Sequence, residues 1–134
     1  MRSIVADASA LVEFVLRTER SRPFEDIVTA TDTDLHVPAL CEVEVTAALR
    51  RALLAKSLAA ARAAEALEDY LALPLTRHGH QALLGRALGL RDRFSAYDAI
   101  YVALAERLDV SLLTADGRLA RAVRSTLGVD VVPA

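Results

Sequence analysis

Short apolar segments typical of buried strands alternate with helical patterns along this chain. The predicted strands are residues 4–6, 35–37, 73–76, 110–114 and 129–132. The predicted helices begin after Asp7 and then cover about residues 20–30, 38–55, 58–71, 80–90, 95–108 and 117–127. Strands that alternate with helices form a parallel sheet that is covered on both faces. We therefore predict a three-layer α/β fold with a central parallel sheet of four to five short strands.

Length and composition restrict the class of protein. With 134 residues the chain has the size of one domain, so we expect a single domain over residues 1–134. Apolar residues make up 54% of it, but no uncharged apolar run approaches the roughly 18 residues of a membrane span. The first three residues lead directly into a strand and leave no room for a signal peptide. We therefore expect a cytoplasmic protein with no membrane partner.

The basic residues have an unusual composition. The net charge of −2 argues against a simple electrostatic nucleic-acid binder. Of the 16 basic residues, however, all but Lys56 are arginine. Three groups stand out, at positions 17, 20 and 22, at 50 and 51, and at 118, 121 and 124. Arginine suits bidentate phosphate contacts, but a GC-rich genome explains the same bias, and the sequence leaves both explanations open.

Four acidic residues occupy positions where a strand ends or a helix begins. They are Asp7, Glu44, Asp98 and Asp116. In a parallel α/β sheet, ligands collect at the carboxyl ends of the strands, and Asp7 and Asp116 lie just past two such ends. Clustered carboxylates repel each other and remain ionised only if a cation lies among them. The sequence therefore predicts a divalent-metal site.

Each acid also has a simpler interpretation. Asp7 is able to cap the following helix, although Ser9 could do the same. Ser95 and Asp98 match a capping box, and Asp116 precedes Gly117 at a helix start.

Glu44 has a close competitor. Glu42 lies two positions earlier, and two helical steps put the pair on nearly opposite faces, so only one of them can point into a cleft. Both have apolar neighbours at helical spacing, so periodicity leaves the choice open.

Other polar or aromatic residues are assigned no chemistry. We expect structural or solvated roles for the three histidines, His36, His78 and His80, and a buried apolar role for the lone Cys41. Core packing is the expected role of Tyr97 and Tyr101, which lie on the helix of Asp98.

Five segments of the chain together carry a resemblance to a known family. They are residues 4–12 (IVADASALV), 37–40 (VPAL), 44–49 (EVTAAL), 97–105 (YDAIYVALA) and 113–116 (LTAD). These segments resemble the PIN-domain ribonucleases, and within that family the VapC toxins of type II toxin–antitoxin systems. Their order, spacing and total length agree with that family, and the resemblance covers essentially the whole chain. In the family the glutamate precedes a segment like residues 45–49, which selects Glu44 over Glu42.

The resemblance implies a PIN-like fold and metal-dependent cleavage of RNA. Asp7, Glu44, Asp98 and Asp116 would form the catalytic acids, with Asp7, Asp98 and Asp116 as ligands of Mg²⁺ or Mn²⁺. Ser9 and Thr114 would be supporting hydroxyls. One departure is that Gly117 and Arg118 follow Asp116, where no further acid completes a larger metal-binding set.

The same resemblance implies two kinds of partner besides the RNA substrate. One is a VapB-like antitoxin that lays a peptide over the cleft, within a toxin–antitoxin hetero-oligomer. The other is a second copy of the chain, in a homodimer.

Other functions fit the residues less well. A receiver domain would need a lysine late in the chain, and a haloacid-dehalogenase-like phosphatase would need an acid at Ser9. A dinucleotide-binding enzyme would need a glycine-rich first turn, which is absent after Asp7. The remaining alternatives are a PIN-like protein- or RNA-binding module with little catalysis and a solitary RNA-processing nuclease.

Overall fold

The central sheet has five strands, all parallel. In the computed structural model, which describes residues 1–133, the strands lie side by side in the order β3-β2-β1-β4-β5. Their bounds are β1 Arg2–Ala6, β2 Thr33–Pro38, β3 Leu75–His78, β4 Ser111–Leu113 and β5 Val131–Val132. The predicted α/β fold with a parallel sheet of four to five strands is confirmed.

Seven α-helices occur among residues 1–133. They are α1 Ala8–Leu16, α2 Arg22–Val28, α3 Leu40–Leu54, α4 Ala60–Ala72, α5 Leu84–Gly89, α6 Ala96–Leu108 and α7 Gly117–Thr126. Short 3₁₀ turns at Glu19–Ser21 and Gln81–Leu83 precede α2 and α5. The two helices predicted at about residues 20–30 and 80–90 are therefore each divided into a turn and a shorter helix.

Several predicted boundaries were wrong for identifiable reasons. Pro38 does not start a helix, because it is the last residue of β2 and lies opposite His78 of β3. The helix begins two residues later, at Leu40. Thr114 was assigned to a strand but lies beyond β4, where its side chain bonds to Asp7. The strand predicted at 73–76 begins only after Pro74 and forms the edge of the sheet, where a nearby proline is tolerated.

The order of the strands reverses at the centre of the sheet. From β1 the chain adds β2 and β3 on one side, and it then returns to place β4 and β5 on the other side of β1. Ala6 at the end of β1 consequently lies opposite Leu113 at the end of β4. Open α/β sheets form their ligand-binding crevice at such a reversal. The residues that follow these two strands, Asp7 and Thr114–Asp116, are thereby brought together.

A hydrophobic core surrounds this point. Ile4, Val5 and Ala6 of β1 are fully buried, and seven consecutive residues of α6, from Ala99 to Ala105, are buried as well. A helix that is apolar on all sides must be covered on all sides, and α6 packs against β1, β2, β4 and α5. The core therefore fixes the helix that carries Asp98.

Two side-chain predictions on these elements had different outcomes. Cys41 is a fully buried free thiol, as predicted. Tyr101 is buried, but Tyr97 is 62% exposed, so core packing was wrong for Tyr97. Tyr97 lies four positions before Tyr101 in the first turn of α6, where the helix emerges from the core.

None of the helices in residues 1–133 has the length and apolar character needed to cross a membrane.

Candidate active site

One cavity of about 390 Å³ is lined by all four of the predicted acids. Asp7 lies between β1 and α1, Glu44 in α3, Asp98 in the first turn of α6 and Asp116 before α7. Ser9, Arg51 and Tyr101 contribute to the same walls. The fold therefore brings together residues that are up to about a hundred positions apart in the chain.

Asp7 is the most deeply buried of the four. Its side chain is only 5% exposed, and it caps α1 by accepting a bond from the Ala10 N–H to Oδ1 at 3.1 Å. The Ser9 hydroxyl donates to the same oxygen at 2.6 Å, and the Thr114 hydroxyl donates to Oδ2 at 2.6 Å. The capping role and the position in the cavity are therefore compatible, and neither excludes the other.

Burial makes Asp7 a weaker acid than usual. Loss of hydration raises the pKa of Asp7 from 3.8 to about 6, and the nearby Asp116 carboxylate adds to the rise. Bonds from Ser9, Thr114 and Ala10 oppose the shift but do not cancel it. Among residues 1–133, no basic side chain forms an ion pair with Asp7. A cation beside this carboxylate would favour its charged form.

Two hydroxyls tie the strand ends together. The Thr114 hydroxyl donates to Asp7 and accepts a bond from the Asp116 N–H at 3.0 Å. The Ser9 hydroxyl donates to Asp7 and accepts a bond from the Ala115 N–H at 3.0 Å. Each hydroxyl therefore links Asp7 to the segment that carries Asp116, and both side chains have a clear positioning function.

Asp98 and Asp116 share one basic partner. The Nη2 atom of Arg118 lies 3.0 Å from Asp98 Oδ2 and 3.4 Å from Asp116 Oδ2. Asp116 also caps α7, because its Oδ1 accepts bonds from the backbone N–H groups of Arg118 and Leu119. Ser95 accepts a bond from the Asp98 N–H, which is one half of the predicted capping box.

Glu44 and Glu42 are separated by their surroundings. Glu44 lines the acidic cavity, whereas Glu42 forms an ion pair with Arg77 on the edge strand β3. The two side chains thus face different regions, as their helical spacing requires.

Tyr101 is a residue of the cavity that the sequence pattern did not identify. Its buried hydroxyl has no hydrogen-bond partner among residues 1–133. Burial, together with the nearby Cys41 and Glu44, raises the pKa of Tyr101 far above its usual range. The phenol therefore remains neutral and is a free hydrogen-bond donor beside Glu44. Its only sequence signal was its position one turn after Asp98, which is equally typical of core packing.

The donor atoms suit a hard cation, but they do not form a closed cage. Within residues 1–133, no group of three or more His, Cys, Asp or Glu side chains is close enough together to hold a metal ion. The available groups are carboxylate oxygens around an open cavity, which match Mg²⁺ or Mn²⁺ that keep several of their waters. An ion in this cavity would therefore need water to complete its coordination shell.

Comparison with known proteins identifies the family. The PIN domain family model matches residues 4–124. Ribonuclease VapC3 of Mycobacterium tuberculosis is 42% identical over 119 residues, which cover 89% of this chain and 86% of that protein. The fold and this match define a PIN domain. The chain belongs to the VapC ribonucleases of the PIN-domain family.

Solved structures of more distant sequence share the fold. VapC20 of Mycobacterium tuberculosis, described as a toxin that cleaves the sarcin–ricin loop, has a TM-score of 0.69 at 16% identity, covering 89% of this chain and 94% of that one. VapBC2 of Rickettsia felis, bound to a DNA fragment from its promoter, has a TM-score of 0.67 at 12% identity, and the alignment covers 96% of both chains. At these identities the likeness concerns the fold alone.

Proposed function

We propose that this chain is a metal-dependent endoribonuclease toxin of a type II toxin–antitoxin system. Its membership of the VapC family supports RNA cleavage as the activity. The observation that carries the metal dependence is the shared cavity of Asp7, Glu44, Asp98 and Asp116. A purely protein- or RNA-binding module has no evident need for four carboxylates in one pocket, because these groups repel phosphate.

The proposed catalytic residues divide into two roles. Asp7, Asp98 and Asp116 would hold Mg²⁺ or Mn²⁺, and Glu44 would complete the shell by orienting water. A divalent ion held by these residues would supply charge that polarises the scissile phosphate and lowers the pKa of a bound water. Ser9 and Thr114 keep both Asp7 oxygens oriented. The Tyr101 hydroxyl is available to hold Glu44 in place.

Attraction of RNA requires positive charge outside the carboxylates. Each of the three arginine groups in the sequence has one member near the cavity. Arg51 lines it, Arg20 bonds to the Ala115 carbonyl at 3.0 Å, and Arg118 contacts Asp98 and Asp116. This distribution favours a role for arginine in phosphate binding, and we propose that these side chains guide RNA to the site.

A VapB-like antitoxin is the proposed inhibitory partner, because one solved structure that shares the fold is a toxin–antitoxin complex from Klebsiella pneumoniae. We also propose a homodimer. Apolar side chains that a partner could cover are exposed on α3 and α4, at Val43, Leu54 and Leu71, and on α5, at Leu84 and Leu88. Measurement of the molar mass in solution, with and without the antitoxin, tests both assemblies.

A metal titration of RNA cleavage tests the proposed activity. The purified protein should be inactive in a chelator, and Mg²⁺ or Mn²⁺ should restore cleavage. Asp7→Asn protein, purified in parallel, controls for contaminating nucleases and should remain inactive, as should Asp98→Ala. Equal cleavage by the wild-type protein and both variants would contradict the proposal. RNA binding without cleavage at any metal concentration would favour the binding-module alternative.

The genomic context distinguishes a toxin from a solitary processing nuclease. A small neighbouring open reading frame that encodes a DNA-binding antitoxin is expected. Co-expression of its product should suppress cleavage by the wild-type chain.

A further inference from the structure

Arg118 occupies an unusual position for a basic residue in an acidic site. It is the second residue of α7, and its side chain is 66% exposed. A single atom, Nη2, contacts one oxygen of Asp98 at 3.0 Å and one oxygen of Asp116 at 3.4 Å. The two acids come from different elements and are bridged by this one guanidinium.

The bridge supplies charge that the two acids need. Without it, Asp98 and Asp116 would place two like charges around one small volume beside the buried Asp7. The hydrogen bond to Asp98 and the charge of both acids raise the pKa of Arg118. Its guanidinium thus provides positive charge between two carboxylates that are proposed to hold the metal.

The same contact is easily broken. Both interactions are exposed to solvent, and exposed ion pairs contribute little to stability because water competes with them. A divalent ion concentrates twice the charge of a guanidinium and binds carboxylate oxygens directly. The planar fork of arginine, in turn, matches a phosphate at least as well as a carboxylate.

We propose that Arg118 has two successive partners in the active site: Asp98 and Asp116 in the metal-free protein, and an RNA backbone phosphate once the divalent ion occupies the acids. This inference rests on the proposed function, and it assigns to Arg118 both competition with the metal and binding of the substrate. Metal and RNA then assist each other, because each removes a competitor of the other. The metal frees the guanidinium, and a phosphate that engages the guanidinium frees the carboxylates.

The test measures both partners with Arg118→Gln. Binding of Mn²⁺ alone is measured by calorimetry in the absence of RNA. Binding of a short fluorescent RNA of mixed sequence is measured with Mn²⁺ present, in the Glu44→Gln background, which keeps the three proposed metal ligands and slows cleavage of the RNA. Arg121→Gln is the matched control, because Arg121 is an exposed residue one turn further along α7 that forms no ion pair within residues 1–133.

The two measurements should change in opposite directions. Arg118→Gln should bind Mn²⁺ roughly three- to tenfold more tightly, since it removes one exposed cation with two carboxylate contacts. The same change should weaken RNA binding by a similar factor and lower the slope of log K against log salt by about 0.7, the value for one phosphate contact on a single strand. Arg121→Gln should change Mn²⁺ binding much less.

Each other outcome overturns the proposal. Weaker binding of both Mn²⁺ and RNA by Arg118→Gln would show that Arg118 has a structural role. Unchanged Mn²⁺ binding would show that Arg118 does not compete with the metal for Asp98 and Asp116. An equal gain in Mn²⁺ affinity from Arg121→Gln would show a general effect of charge. Tighter Mn²⁺ binding by Arg118→Gln with an unchanged salt dependence of RNA binding would show that Arg118 does not contact an RNA phosphate. If neither the wild-type protein nor Arg118→Gln bound Mn²⁺, the metal-dependent function itself would fail together with the inference.

Discussion

Polar side chains at the carboxyl edge of the sheet have different kinds of partner in its two halves. Beside β1 and β4, the buried Asp7 has hydroxyl and N–H partners but no ion pair within residues 1–133. Beside β2 and β3, polar groups form pairs with one another. His36 Nδ1 lies 2.9 Å from His78 Nε2, and Glu42 pairs with Arg77. The first half thus contains a buried carboxylate without a basic partner among residues 1–133, whereas the polar groups named in the second half are paired with each other.

The contrast separates polar groups that pair with each other from a buried carboxylate that we propose to bind a metal ion. In both halves burial shifts a pKa in the direction that favours the neutral side chain. The resulting dependence of stability on pH has opposite signs for the acid and for the histidine. The pKa of Asp7 is raised, and the pKa of His78 is lowered by burial and by His36. Lower pH should therefore stabilise the acidic half and destabilise the histidine half.

Glu44 and Glu42 provide the sharpest test of this contrast. Glu44→Gln should lower metal-dependent RNA cleavage by about 10- to 100-fold, the range for residues that orient metal ligands. Glu42→Gln makes the same chemical change two residues away, breaks only the pair with Arg77, and should leave cleavage unchanged. Rates measured at saturating metal decide the matter. Equal losses in the two variants would mean that the halves are not distinct.

Asp7→Asn should stabilise the metal-free protein at neutral pH. Folding raises the pKa of Asp7 from 3.8 to about 6, so the folded state holds its proton more tightly than the unfolded state. Stability therefore falls as pH rises from about 4 to 6, and the full cost, on the order of 3 kcal/mol, remains above that range. Asparagine has no such cost and can still accept from Ser9 and Ala10 at Oδ1.

Urea unfolding in a chelator, across about pH 4 to 8, measures this difference. The advantage of Asp7→Asn over the wild-type protein should be largest above about pH 6 and should nearly vanish at about pH 4. Addition of Mn²⁺ should reverse the order, since the ion stabilises only the protein that binds it. A pH-independent difference would show that burial of the Asp7 charge is not its cause.

The sequence predicted the positions of the acids better than their contacts. Asp7 and Asp116 could be assigned to the ends of strands because strand and helix patterns are local. The neighbours of each strand in the sheet could not be predicted, because pairing of β1 with β4 joins segments about a hundred residues apart. The bridge from Thr114 to Asp7 depends on that pairing, and so does the position of Asp116 beside Asp7.

The ion pairs of the site could not be predicted from the sequence either. Arg118 was noted as a member of an arginine group and as a residue in place of a further acid, but its bridge between Asp98 and Asp116, which belong to different elements, was not predicted. Both Glu42 and Glu44 have apolar neighbours at helical spacing, so periodicity could not choose between them. The choice of Glu44 came from the family resemblance. The physical difference is the partner of Glu42, Arg77, which belongs to a strand 35 positions away.

His80 should contribute to stability and not to activity. Its Nε2 accepts a bond from the Leu40 N–H at 2.9 Å, where α3 begins and Ala39 offers no capping side chain. His80→Ala should lower the free energy of unfolding by about 1 kcal/mol, as the loss of other helix caps does. RNA cleavage per folded molecule should remain unchanged. Lost cleavage at unchanged stability would instead place His80 in the active site.

His78 should produce the smallest effect, and its sign is opposite to that of Asp7. The pKa of His78 in the folded state lies below its usual 6.5, so the folded state binds fewer protons than the unfolded state. Stability therefore declines as the pH falls below about 6.5. His78 is only partly buried, so the change should stay below about 1 kcal/mol.

The measurement uses the Asp7→Asn background, which removes the opposing contribution of the carboxyl group. There, His78→Gln should flatten the decline in stability below about pH 7. His36→Gln provides the matched test, because it leaves His78 in place and removes the second ring that lowers its pKa. A partial flattening with His36→Gln is expected. If both variants kept the full decline, the histidine pair would not be the source of the acid sensitivity in this half of the sheet.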